Sequence, residues 1–154
     1  MSVTFREARR EDLPAIVAML ADDMLGAKRE RATDPLPEGY GRAFDAIAAM
    51  PGSAVLVAEA ADGTVVGCLQ LAVLPNLSYQ GTSRALIEGV RVAAPHRGQG
   101  LGAALIRDAV ERARQAGCGM VQLSTNAARK DAQRFYERLG FVASHVGMKL
   151  DLPR

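Results

Sequence analysis

The sequence predicts an α+β domain, or a mixed α/β one, with a central, mostly antiparallel sheet and about four helices on its faces. Three observations carry this. Runs with strand-like and helix-like hydrophobic spacing alternate along the chain. Asp62-Gly63 separates two β-rich runs, the signal of a hairpin and therefore of antiparallel neighbours. A glycine-dense turn, Arg97-Gly98-Gln99-Gly100-Leu101-Gly102, joins an apolar strand to a long amphipathic helix.

Residues 3–6 read as a short strand. Asp12 is placed as an N-cap, and Leu13, Ile16, Val17, Leu20 and Met24 follow at helical spacing. Residues 26–39 are polar, charged and proline-containing, which predicts a mobile loop. Tyr40, Phe44, Ile47 and Ala48 predict a second short helix that stops before Pro51. Residues 54–60 and 64–74 form the hairpin, residues 75–81 a loop, and residues 85–92 an apolar strand. The helix over 101–116 puts Gly102, Leu105, Ile106, Ala109, Ala113 and Ala116 on one side, with Asp108 and Arg112 four apart on the other. Gly117 and Gly119 end it. Residues 120–123 read as a short buried strand. Residues 131–139 form a helix with Ala132, Phe135, Tyr136 and Leu139 facing inward and Gly140 as its C-cap. Phe141-Val142 and residues 146–150 are expected to close the sheet as a pair of strands. The order is β-α-α-β-β-β-α-β-α-β-β, without repeats.

The 154 residues are expected to form a single domain, 1–154. A hydrophobic content of 49% and a charged content of 23% are ordinary for a soluble globular chain. The net charge of +2, with no lysine- or arginine-rich block, argues against dedicated nucleic-acid binding. No apolar run is long enough to span a membrane and no signal peptide is evident, so a cytoplasmic protein with no membrane partner is expected. Cys68 and Cys118 form neither a disulfide framework nor a zinc pattern. His96 and His145 are the only histidines, so no metal is expected.

The glycine turn carries most of the chemistry. Between a strand and a helix it bares backbone N–H groups, removes side chains that would block a ligand, and aims the positive end of the helix dipole at whatever sits there. That suits a pyrophosphate, and Arg97 adds a cation at the rim. A dinucleotide-binding reading of Gly98-x-Gly100-x-x-Ala103 fails because no acidic residue ends the next strand, at Leu123-Ser124. A P-loop fails because no Gly-Lys-Ser/Thr follows.

Two blocks resemble a known family. The strand Ile87-Glu88-Gly89-Val90-Arg91-Val92, followed by the turn over 97–102, is similar to the acetyl-CoA-binding motif of the GNAT superfamily of N-acetyltransferases. The block Ala132-Gln133-Arg134-Phe135-Tyr136-Glu137-Arg138-Leu139-Gly140-Phe141 is similar to the superfamily's second signature, and the element order matches over nearly the whole chain.

The resemblance implies a GNAT-like fold whose two central strands bulge and splay. It implies acetyl-CoA as cosubstrate, with its pyrophosphate on the backbone of Arg97, Gly98, Gln99, Gly100, Leu101 and Gly102. The pantetheine arm would lie as an extra strand along Val90, Arg91 and Val92, and a backbone N–H there would face the acetyl carbonyl. A primary amine, on a small molecule or a peptide, would attack the thioester directly. Tyr136 would donate a proton to the departing thiolate; the alternative is a core tyrosine beside Phe135. Glu88 would take the amine's proton or hold its ammonium; the alternative is a carboxylate at the wet end of the strand. By alternation it is expected to share a face with Val90 and Val92. Two departures stand out: the proline usual after the strand comes one place late, at Pro95, and Arg129 replaces a usual asparagine. Asn126 is retained as a weaker contact to the arm. Arg129 and Lys130 read as a solvated pair opening a helix, or as cations for the 3′-phosphate. A homodimer is compatible with this reading. The rival from another class is a non-catalytic acyl-CoA-binding sensor on the same fold.

Overall fold

The computed structural model describes residues 2–154. Strands β1 (Val3–Glu7), β2 (Ala54–Ala60), β3 (Val65–Leu74), β4 (Arg84–Val92) and β5 (Met120–Leu123) form one sheet in the order β1-β2-β3-β4-β5. The first four pair antiparallel with their neighbours, and β5 pairs parallel with β4. Asp62 makes the β2–β3 turn as expected: its carboxylate accepts the Thr64 N–H at 3.0 Å, and Gly63 takes φ +88°.

Four longer helices, α1 (Leu13–Ala21), α3 (Glu38–Ala49), α5 (Leu101–Gln115) and α6 (Lys130–Arg138), flank the sheet, with single turns α2 (Gly26–Arg29) and α4 (Ser78–Gly81) between them. α1 covers one face, with Ile16 and Met19 packed with Val57 and Cys68. α5 covers the other, with Leu105, Ile106, Ala109 and Ala113 against Leu56, Leu69 and Ile87. α6 adds Phe135, Tyr136 and Leu139 to that second face. Each fully buried leucine or isoleucine contributes about 1.5–3 kcal/mol, so these two apolar layers hold the sheet between them.

The end of α6 follows the expected chemistry. After α6 the N–H of Gly140 bonds the Glu137 carbonyl and that of Phe141 the Tyr136 carbonyl, with Gly140 at φ +98°. The Asp108–Arg112 pair forms on α5 at 2.7 Å.

Several expectations are corrected. Asp12 sits at the start of α1, yet its carboxylate turns back to the Arg9 N–H at 2.7 Å and to Arg6 at 2.8 and 3.1 Å. Those bonds hold its pKa below the usual carboxylate range, and the Arg6 guanidinium is the leading cause. Residues 26–39 are not all loop, because Gly26–Arg29 forms a helical turn. Met24 falls past the end of α1 and is 85% exposed. Ala116 follows the last turn of α5 and is exposed. β5 is half-buried, not buried, because one of its edges has no neighbour. The closing strands at Phe141-Val142 and 146–150 are absent: residues 141–154 run past Gly140 without joining any strand.

Candidate active site

The turn between β4 and α5 is built as the glycines require. Gly98 has φ +75° and Gly100, the N-cap of α5, has φ +80°. Side chains rarely adopt that conformation, and nothing lies within 4 Å of where a Cβ would stand at either position. The N–H groups of residues 98–103 find no hydrogen-bond partner among the described residues. They form an open cradle at the positive end of α5. Gly102 faces the interior of the fold: a Cβ there would stand in ordinary contact, 3.5 Å from both Phe135 and Val92.

Arg97 is not a free cation at the rim. Its Nε donates to the Val92 carbonyl at 3.1 Å, and its Nη2 meets the Asp22 carboxylate at 3.3 Å. It bridges the end of β4 to the end of α1, half exposed.

β4 carries a bulge. Two of its residues, Gly89 and Val90, oppose the single residue Leu69 of β3, and Gly89 takes φ +64°. Pairing with β5 stops at Ile87–Leu123, while β4 continues to Val92. From Glu88 onward that side of β4 has no strand beside it, and the two strands part as the resemblance implied. The Val90 carbonyl there accepts the Arg91 Nη1 at 2.9 Å.

The bulge corrects one expectation. Val90 packs with Ile87 against the α5 face, and Val92 packs with Leu101 on that same face. Glu88 pairs with Gln70, whose side chain lines the α1–α3 face, and is exposed. The extra residue breaks the alternation, so Glu88 does not share a face with Val90 and Val92. Its neighbours Gln70 and Gly89 help line an apolar cavity of about 130 Å³, together with Leu20, Tyr40, Phe44 and Ile47. A larger open hollow of about 400 Å³ lies at the other end of β4, beside Arg84 and Met120.

Three charged residues meet at the opened edge. The Asp23 carboxylate takes the Gly26 N–H, Arg129 Nη2 at 2.8 Å and Arg91 Nη2 at 3.4 Å. The Gly26 N–H leads in pulling the Asp23 pKa down to about 2, with the arginines adding to it against burial. Arg129 is therefore no solvated helix-opening charge. A Cβ on Gly26 would stand 1.9 Å from the Leu20 carbonyl, which fixes glycine at that position. The Asn126 Oδ1 accepts the Ala128 N–H at 2.9 Å and shapes the turn before α6.

Tyr136 packs edge-on to Phe135 and Phe141, with centroids 5.1 and 6.0 Å apart. Its hydroxyl makes no hydrogen bond among the described residues. Burial pushes its pKa up, and the charges of Arg91 and Arg129 pull the other way. It stays a protonated phenol at neutral pH, close to two cations.

These residues fit a CoA thioester: unpaired N–H groups for a pyrophosphate, an open strand edge for an extended amide-bearing arm, and a protonated phenol nearby. Residues 16–141 match the family model "Acetyltransferase (GNAT) family". The chain belongs to the GNAT family. This GNAT chain is 43% identical over 84 residues to the aminoalkylphosphonate N-acetyltransferase of Salmonella typhimurium, covering 54% of each. It is 40% identical over 90 residues to the glucosamine 6-phosphate N-acetyltransferase of Trypanosoma brucei brucei, covering 58% of this chain and 59% of the relative. The match thus spans little more than half the length of these two curated relatives. A crystal structure described as a transcriptional regulator from Bacillus halodurans C-125 is 50% identical, with a TM-score of 0.94 over 98% of this chain and 100% of that one. That coverage takes in most of residues 141–154. Among the described residues no group of His, Cys, Asp and Glu could hold a metal, and no helix is long and apolar enough to cross a membrane.

Asp23 and the side chains of Arg91 and Arg129 join the site only in the fold. No local signal marks them, since the Asp23–Arg129 pair spans 106 positions.

Proposed function

We propose that this protein transfers the acetyl group of acetyl-CoA to the primary amine of a small molecule by direct attack. The observation that carries the reading is the pairing of two features: the free N–H cradle of residues 98–103, and the open edge of β4 from Glu88 to Val92.

Acetyl-CoA supplies an activated thioester. The cradle binds its pyrophosphate, and the glycines at 98 and 100 let the phosphates reach the backbone. The edge of β4 takes the pantetheine arm by strand addition. Arg91 and Arg129 share one carboxylate, so a net positive charge remains beside the edge and favours a thiolate. Tyr136 hands that thiolate its proton, and solvent restores the phenol. The amine arrives from the α1–α3 side, where Glu88 accepts its proton directly or through water. The cavity under α3 takes an apolar portion of the acceptor. Relatives named for an aminoalkylphosphonate and for glucosamine 6-phosphate support a small-molecule acceptor.

Incubation with acetyl-CoA and a panel of small amines, read by mass spectrometry, tests this reading: an N-acetylated product supports it. The second reading, an acyl-CoA sensor, draws on the similar chain described as a transcriptional regulator. It requires acetyl-CoA binding without product from any amine.

A further inference from the structure

Tyr40, Phe44 and Ile47 follow one another at helical spacing on α3, yet no residue of that helix is buried. The cavity of about 130 Å³ lies between them, α1 and the sheet. It reaches the reacting edge: a Cβ on Gly89, in the β4 bulge, would stand 3.7 Å from Leu20 Cδ2.

No charged side chain is part of its lining. The Tyr40 hydroxyl is spent outside it, donating to Glu30 Oε1 at 2.9 Å and accepting the Arg31 N–H at 3.0 Å. Cys68, at the sheet side, turns its Sγ to the Gly89 carbonyl at 3.8 Å. Burial pushes that thiol up to about 12, so it stays uncharged. One polar group is left over. The half-buried Gln70 side chain lines the cavity and makes no hydrogen bond among the described residues. Glu88 stands directly across from it in the β3–β4 register, so amide and carboxylate are neighbours on one face.

We propose that the acceptor is a small primary amine with an uncharged apolar tail: the tail fills the cavity, and the Gln70 amide oxygen holds the amine beside Glu88. A dry cavity of about 150 Å³ takes up a benzene ring, which sets the size of the tail. A tail carrying phosphate, phosphonate or a second ammonium would bury an unpaired charge there. A carboxylate next to the amine would face Glu88. With one N–H given to Gln70, the nitrogen keeps its lone pair free. That pair bonds the acetyl carbon as the C–S bond breaks, the nitrogen's surplus proton goes to Glu88, and the thiolate takes one from Tyr136. This assignment rests on the acetyl-transfer reading for its chemistry, so binding is measured apart from turnover.

The first measurement compares phenethylamine, isoamylamine, ethylamine, phenylalanine and aminoethylphosphonate by kcat/KM at saturating acetyl-CoA. Burying a tail of this size is worth about ten- to a hundredfold, so phenethylamine and isoamylamine are expected to exceed ethylamine by that factor. Phenylalanine is expected below phenethylamine, and the phosphonate below ethylamine. Gln70→Leu is expected to raise the KM of every amine about tenfold, the worth of a lost hydrogen bond, with the acetyl-CoA KM and melting temperature unchanged. The second measurement is calorimetry of phenethylamine added to protein saturated with CoA. Binding is expected, and Ala43→Phe, which fills the cavity from α3, is expected to abolish it while acetyl-CoA affinity reports an intact fold. Phenethylamine binding without turnover of any amine would support the cavity assignment and overturn acetyl transfer instead. Equal kcat/KM for phenethylamine and ethylamine, or a preference for the phosphonate or for phenylalanine, overturns the proposal. So does phenethylamine that fails to bind or binds Ala43→Phe equally well, or an amine KM that Gln70→Leu leaves unchanged.

Discussion

Asp23 and Arg129 lie 106 positions apart in sequence, and their side chains meet at 2.8 Å. The contact ties the exit of α1 to the turn before α6, across the opening where β4 and β5 part. Arg91, rooted in the β4 bulge, joins the same carboxylate. One anion therefore fixes the three segments that surround the candidate thioester site.

Replacing Asp23 with Asn keeps an acceptor for the Gly26 N–H and removes the charge from between two arginines. Partly buried pairs fall between the surface and interior limits, so a loss of about 1–3 kcal/mol is expected in thermal unfolding at pH 7. The folded carboxyl titrates near 2, below its unfolded value, so its stabilisation is present above the ordinary carboxylate range. It fades as pH falls from about 4 toward 2. The gap in melting temperature between wild type and Asp23→Asn should close over that window. A gap that stays constant to pH 2 would show that the pair does not form.

Gly100→Val places a branched side chain at φ +80° and crowds the cradle. Acetyl-CoA affinity by calorimetry should fall well over tenfold. Gly102→Leu should act through packing, because a Cβ there already touches Phe135 and Val92 and the longer side chain extends among them. Equal affinity in both variants and wild type would remove the turn as the binding site.

Arg97→Ala breaks contacts to Asp22 and to the Val92 carbonyl as well as any phosphate contact. A raised KM for acetyl-CoA with a weaker salt dependence is expected, since screening acts on exposed charge. A normal KM with a collapsed kcat would instead place Arg97 in the chemistry.

Tyr136→Phe keeps both edge-on ring contacts and deletes a hydroxyl that bonds no protein group. The melting temperature should hardly move, while kcat falls roughly ten- to a thousand-fold with acetyl-CoA binding intact. Full kcat together with a much lower melting temperature would make the tyrosine a packing residue.

Glu88→Gln should leave CoA affinity unchanged and lose most activity at low pH, where the acceptor ammonium most needs a base. A uniform loss across pH, read from kcat/KM profiles, would argue against proton removal by Glu88.

Local chemistry made much of this readable. Asp62-Gly63 dictates its hairpin, the glycines at 98 and 100 need the left-handed backbone their turn requires, and Gly140 closes α6 through the two backbone bonds expected of it. Three features were not readable. The bulge at Gly89 inserts one residue into an otherwise regular alternation, and that alone moves Glu88 to the opposite face from Val90. The Asp23 cluster is a tertiary meeting of residues that carry no pattern in sequence. The segment after Gly140 does have a strand's alternation, at positions 142–152, but alternation does not by itself supply an edge to pair with.

The central claim is amine-dependent acetyl transfer at the turn of residues 97–102. Thiol release from acetyl-CoA, followed with and without each member of a small-amine panel, tests it most directly. Release is expected to rise with at least one amine and to be lost in Gly100→Val. Tight acetyl-CoA binding with no amine-dependent release from any panel member would contradict it.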